Sequence, residues 1–250
     1  MMDAFFVTQN ADACCLCGST SDLTGEHKFK RSILKKEFFG EPMAIGTFGG
    51  TGFRNAQGAK SKQLHFDARL CALCNGTRTQ PADREFDAFH KLAEELARSG
   101  QEPDLAFSDS RYEVGSEKYL NVFRYFAKIL CCHIAEVGGP RPTSLSKFAI
   151  GESDRNIVSL RVQKDQLFDR LSSEIPDPQF ASHGGLMVRV GKRTGLPTEF
   201  QSTLSFGPVN YEFFISLLLP AQVALSVCHR EFAKRCRQLA IDATRDGVDQ

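Results

Sequence analysis

The sequence has almost no net charge. Against 31 Lys and Arg stand 30 Asp and Glu, leaving +1 over 250 residues. That balance excludes a uniformly basic, polyanion-coating protein; a nucleic-acid binder built from this chain must gather its cations on one face. Long hydrophobic runs are also missing. The most apolar window, residues 213–227, contains Pro220 and Gln222 and is too short to span a bilayer, so no membrane partner is expected. The opening segment, residues 1–10, carries Asp3 and too short an apolar run for a secretory signal. No internal repeat is visible. A paired disulfide framework is missing too. The nine cysteines are odd in number, and two pairs are adjacent in sequence (Cys14–Cys15 and Cys131–Cys132). That pattern points to a reducing, cytoplasmic setting. What remains is ordinary for a soluble globular chain: 42% hydrophobic and 24% charged, long enough for one large domain or two small ones.

Periodicity organises the chain as α+β. Residues 12–25 read as a cysteine knuckle and a turn leading into a short strand, and residues 27–39 as a basic helix or arm. Residues 46–58 form a glycine-rich loop that should wrap a ligand or move. Leu64–Leu70 alternates as a strand does. Phe86, Phe89, Leu92 or Ala93, and Leu96 repeat at helical spacing over 83–98, with Ser99-Gly100 as the stop. A second helix is expected over 116–137, with Tyr119, Phe123, Phe126, Ala127, Leu130 and Ile134 inward. Gly138, Gly139 and Pro140 close it. Strand-like runs at 156–164, 185–192, 200–206 and 211–218 suggest an antiparallel sheet, and a basic helix is expected over 228–244. The halves should divide near 138–152, giving an N-terminal module over 1–100, a helical connector over 101–145 and an α+β unit over 146–250.

Two Cys-x-x-Cys turns, Cys14–Cys17 and Cys71–Cys74, are the most specific feature. One such turn brings two thiolates to one ion, and two turns complete the tetrahedral shell of a structural Zn2+ site. The long insertion between them costs little. Cys15 falls out of position. Cys131 and Cys132 point about 100° apart on a helix and read, with His133, as core. Cys228, His229 and Cys236 read as packing. Between the turns lie Glu26 and His27, and Asn75 follows Cys74 directly. Carboxylate, imidazole and amide oxygen form the base and hard-ligand set that phosphodiester hydrolysis needs.

The order Cys14-x-x-Cys17, Leu23-Thr24-Gly25-Glu26-His27, Leu70-Cys71-x-x-Cys74-Asn75, with the tail to Asp87, resembles the zinc-stapled HNH endonucleases over about residues 12–95. The resemblance implies an N-terminal ββα-metal module on a treble-clef zinc scaffold, followed by helices and an antiparallel sheet. It implies His27 as general base, with Glu26 and Asn75 as ligands of a catalytic Mg2+ or Mn2+. Asn75 stands where the family usually has His. The family's middle Asn should fall near Phe66, where none is present; Asp67 is the favoured replacement and His65 the other. Asp83 could add a ligand to the catalytic ion or orient a water, but a helix N-cap or first-turn carboxylate beside Pro81 is the favoured reading.

Lys28, Lys30, Arg31, Lys35 and Lys36 follow the expected base directly, and Arg78 extends the track. So placed, they are expected to contact phosphates rather than serve only as a solvated arm. Phe48 and Phe53 in the glycine-rich loop could stack on bases or simply pack. The resulting expectation is a metal-dependent DNA endonuclease, with a phage or anti-phage setting suggested only by the habits of the family. The alternatives are a non-catalytic zinc protein that binds nucleic acid or a partner, and an RNA-cleaving enzyme. The C-terminal half could bind a protein partner or a second copy.

Overall fold

In a computed structural model, the structure describes residues 5–38, 43–45, 54–56, 61–176 and 178–246. The architecture is α+β with antiparallel sheets. The N-terminal region contributes β1 (Phe6–Val7), β2 (Leu23–His27), α1 (Arg31–Glu37), the short pair β3 (Met43–Ile45) and β4 (Arg54–Ala56), β5 (His65–Cys71) and α2 (Gln80–Arg98). α1 is shorter than the basic run suggests, covering seven residues. Most of the glycine-rich loop, including Phe48 and Phe53, lies outside the described residues. β3, just before it, pairs with β4, inside it.

α2 starts where Pro81 and Asp83 favour a first turn, and it ends at Ser99 and Gly100, whose φ of +84° suits glycine. Phe86, Phe89 and Ala93 are fully buried on its inner face, as their spacing predicts. α3 (Glu117–Glu136) begins at Ser116, whose hydroxyl accepts from the Tyr119 N–H. Every residue from Leu120 to Ile134 is buried. A helix buried all round is a central helix, and the single inward face expected from sequence understates it. α3 packs against α2, β5 and α4 (Thr143–Ala149), which follows β6 (Arg141–Pro142), the partner of β1.

The large sheet runs in the order β7 (Ser159–Lys164), β11 (Val209–Ser216), β10 (Pro197–Phe206), β8 (Ala181–His183), and β9 (Met187–Val190) also pairs with β10. All these pairings are antiparallel. Alternate residues of β11, namely Val209, Tyr211, Phe213 and Ile215, are buried, the period-2 signature of a sheet with one covered face. β10 and β11 join through Gly207 and Pro208, with Gly207 at φ +48°. α5 (Gln166–Glu174) is capped by Asp165. The expected last helix is α7 (Arg230–Asp246), and a further helix not expected from sequence, α6 (Leu219–Cys228), precedes it and is divided from it at His229. α7 buries Phe232, Ala233 and Cys236 and exposes Arg230, Lys234, Arg235 and Arg237.

One contiguous core runs from Phe6 to Cys236 and includes residues from all three expected segments. At its centre the Phe86 and Tyr125 rings stack at 3.9 Å, with Phe126 and Tyr211 edge-on to Phe86 or tilted nearby. Among the described residues, no helix is long and apolar enough to cross a membrane.

Candidate metal centre and the adjoining polar site

The first knuckle is held by its own backbone. Gly18 N–H donates to Cys14 O, Cys14 N–H donates to Ser19 O, and Gly18 adopts a φ of +82° that frees the turn. Cys15 N–H reaches Arg69 O on β5, so this knuckle is docked on the strand that ends in the second one. Cys71 closes β5, and Cys74 opens a π-type turn over Cys74–Arg78 that runs through Thr79 into α2. Thr79 steadies this junction, donating to Cys74 O from both its N–H and its hydroxyl.

The four sulfur atoms of Cys14, Cys17, Cys71 and Cys74 all lie within 4.8 Å of one another, and the Cys17–Cys71 sulfur separation is 3.6 Å. Tetrahedral thiolates about 2.3 Å from zinc stand roughly 3.8 Å apart, so the set fits a closed Zn2+ site. A hydrogen bond from Cys74 pulls the Cys14 thiol down to about 4, and the same contact holds Cys74 protonated. The group therefore shares protons that a bound ion would displace. Cys15, Cys131 and Cys132 are buried outside the cluster, and the Cys15 and Cys132 sulfurs are 3.7 Å apart. Cys236 is buried as expected, whereas Cys228 is exposed.

β2 and β5 form the hairpin-like pair beside the cysteines, in the register Leu23↔Cys71, Thr24↔Leu70, Gly25↔Arg69 and His27↔His65. A bulge falls between Gly25 and His27. Bulges re-aim side chains, and this one sits at Glu26. His27 and His65 meet ring to ring at 3.8 Å. Of the two candidates for the middle polar position, His65 is thus the one placed against His27. Asp67 is exposed, and its backbone N–H donates to Glu136. Gly25 allows this pairing, because a Cβ there would stand 3.2 Å from His65 Nδ1.

His27 is half-buried, and its Nε2 has no hydrogen-bond partner. Burial, followed by the neighbouring His65, Arg31 and Lys128, brings its pKa down to about 4. The ring is therefore neutral at physiological pH. Asn75 donates its amide Nδ2 to Thr24 Oγ1 at 3.0 Å and to Gly25 O at 3.3 Å. It clips the turn after the second knuckle to the strand that carries Glu26 and His27.

Glu26 and Asp83, 57 positions apart, converge on one atom. Lys128 Nζ, on α3, donates to Glu26 Oε1 at 2.9 Å and to Asp83 Oδ1 at 2.6 Å. Lys128 is 1% exposed and also faces the Tyr125 ring. Burial works against its charge, but Glu26 and Asp83 outweigh burial and hold the ammonium protonated. Asp83 is a first-turn carboxylate of α2, as expected, but it makes no side-chain cap there. Sequence reasoning missed Lys128. The available signal was a lysine inside a helix with too many apolar positions to leave any face in water, which requires a buried counter-charge.

The basic segment is largely compensated. Lys28 pairs with Glu136 at 2.9 Å, Lys36 with Glu94 at 2.7 Å, Arg78 with Glu152 at 3.3 Å, and Lys30 lies 3.9 Å from Asp83 and 3.6 Å from Asp87. Lys35 is exposed, and Arg31 has no ion pair among the described residues. Compared with protein-family models, curated proteins and solved structures, the chain matches none of them.

Proposed function

We propose that residues 12–95 form a treble-clef, ββα-type nuclease module in which zinc on Cys14, Cys17, Cys71 and Cys74 is structural and His27 is the general base for phosphodiester hydrolysis. One observation carries this reading. A neutral imidazole with an unpartnered Nε2 stands on the strand beside the four-cysteine cluster and next to two converging carboxylates. Buried polar atoms are normally satisfied, and an orphan nitrogen calls for a functional explanation. In this reading Nε2 takes a proton from water, the hydroxide oxygen bonds to phosphorus, and the P–O3′ bond breaks. The leaving oxygen then takes a proton from solvent. Arg31, which bears on His27 and lacks an ion pair among the described residues, is the cation best placed to hold the phosphate.

The zinc would fix the loop that carries Asn75 and so set the spacing of β2 and α2. The Mg2+ or Mn2+ implied by the family resemblance fits less well. Its expected ligands Glu26 and Asp83 are bridged by Lys128. No step is therefore routed through a divalent ion. DNA is the proposed substrate, with RNA as the alternative.

The test is nicking of supercoiled plasmid by the zinc-loaded chain and by His27→Ala, with single-stranded RNA run in parallel. Cleavage lost in the variant while zinc is retained supports the reading. A second reading, a non-catalytic nucleic-acid or partner-binding module, is favoured by the Lys128 bridge, which saturates both carboxylates. It predicts equal background in both proteins and unchanged retention of DNA.

A further inference from the structure

Two carboxylates that meet in a half-buried site call for a cation, and the nature of that cation decides what the site can do. Here the position between Glu26 and Asp83 is filled from the chain itself. The Lys128 ammonium is within 3 Å of an oxygen of each and is fully buried on the central helix. Its other neighbours complete a closed environment. The Tyr125 ring faces it, and Lys30 lies 3.9 Å from Asp83. A divalent ion at the same place would need both carboxylates and would meet a fixed positive charge within a few ångströms.

Building on the nuclease reading above, we infer that Lys128 is the resident cation of this site, standing in the place of a divalent ion, so that the centre takes up neither Mg2+ nor Mn2+ between Glu26 and Asp83. The ammonium is too deeply buried to touch a substrate phosphate. Lys128 is therefore a positioning residue. It neutralises the two carboxylates, anchors β2 and α2 to α3, and adds to the positive field on His27. Charge on the phosphate must then be met by another cation, and Arg31, half-buried and acting on His27, is the candidate.

The test is a Mn2+ titration of the zinc-loaded full chain, following the free-ion signal by electron paramagnetic resonance, with plasmid nicking measured on the same samples. The wild-type chain is expected to bind no stoichiometric Mn2+. Lys128→Met is expected to gain one ion per chain, because it leaves Glu26 with no counter-ion and Asp83 with only Lys30, 3.9 Å away. The triple variant Glu26→Gln, Asp83→Asn, Lys128→Met is expected to lose that ion again. If Lys128→Met folds only when Mn2+ is supplied, the inference is also supported. Uptake of one Mn2+ by the wild-type chain, abolished by Glu26→Gln, would overturn it even if neither Lys128 variant folds. The nicking arm separates this inference from the reading beneath it. Wild-type protein that neither cleaves nor binds Mn2+ removes the nuclease reading and leaves the role of Lys128 standing. Cleavage that depends on Mn2+ held through Glu26 does the reverse.

Discussion

Replacing Lys128 with Met tests how much of the fold rests on one buried charge. Its contacts at 2.9 and 2.6 Å correspond to attractions on the order of 6 kcal/mol each at an effective dielectric near 20. Dehydrating an ammonium and two carboxylates takes back most of that gain, so the intact trio contributes little net stability. The variant differs in kind. Met fills a similar volume, but Glu26 and Asp83, only 13% and 15% exposed, lose their counter-charge while remaining partly buried. Breaking a buried pair from one side costs about 3–5 kcal/mol. Partial exposure of the carboxylates places the expected loss at about 3 kcal/mol. The assay is urea denaturation at neutral pH with zinc present, followed by circular dichroism because the chain has no Trp. Neutralising the partners as well, with Glu26→Gln and Asp83→Asn, should restore most of the loss. A Lys128→Met midpoint within about 1 kcal/mol of wild type, the range of an exposed ion pair, would refute the reasoning.

Other expectations follow from the same structure. Cys71→Ser should drop the zinc content from one per chain to none and loosen the N-terminal region, read by elemental analysis and thermal melting; unchanged metal and melting would remove Cys71 from the ligand set. Acid should destabilise the protein early. Burial holds His90 near 4 and His133 well below its ordinary value, whereas the unfolded chain takes up protons as pH falls through about 6.5. Stability is therefore full above that value and declines as pH falls toward 4, by about 1.4 kcal/mol per pH unit for each histidine kept neutral. A melting temperature that stays flat between pH 7 and pH 5 would contradict this. Gly139→Ala should cost about 1–3 kcal/mol, because a Cβ there would stand 2.5 Å from Ile134 Cγ2 and 2.6 Å from the Phe232 ring; a neutral effect in chemical denaturation would mean that α3 and α7 pack less closely than they do here.

The parts of the fold legible from sequence are those where one local pattern decides the outcome. β5 alternates along its length, α2 repeats its apolar residues every three or four positions, and β10 and β11 carry period-2 burial between turn residues. Likewise the two Cys-x-x-Cys turns sufficed to bring four sulfurs together although Cys17 and Cys71 stand 54 positions apart. The bulge at Glu26 was not legible, because it depends on how two strands accommodate each other rather than on either one. α6 was hidden because its residues are apolar almost throughout and Pro220 reads as a stop, although a proline in the first turn of a helix is tolerated. Lys128 was hidden for a third reason. A single-face reading of α3 leaves it in water, and only the packing of α2, β5 and α4 around that helix shows that no face is free. The basic run after His27 reads as a phosphate track from composition, but its charges are mostly balanced by acids brought in from distant segments.

The account stands or falls on His27. Zinc-loaded wild-type chain and His27→Ala, matched for zinc content and melting temperature, should be compared for nicking of supercoiled plasmid at neutral pH. The account predicts open-circle product from the wild type and a loss of at least about a hundredfold in the variant, the usual contribution of a general base. Equal rates in the two proteins, or no cleavage of either plasmid or RNA by the wild type, would contradict it.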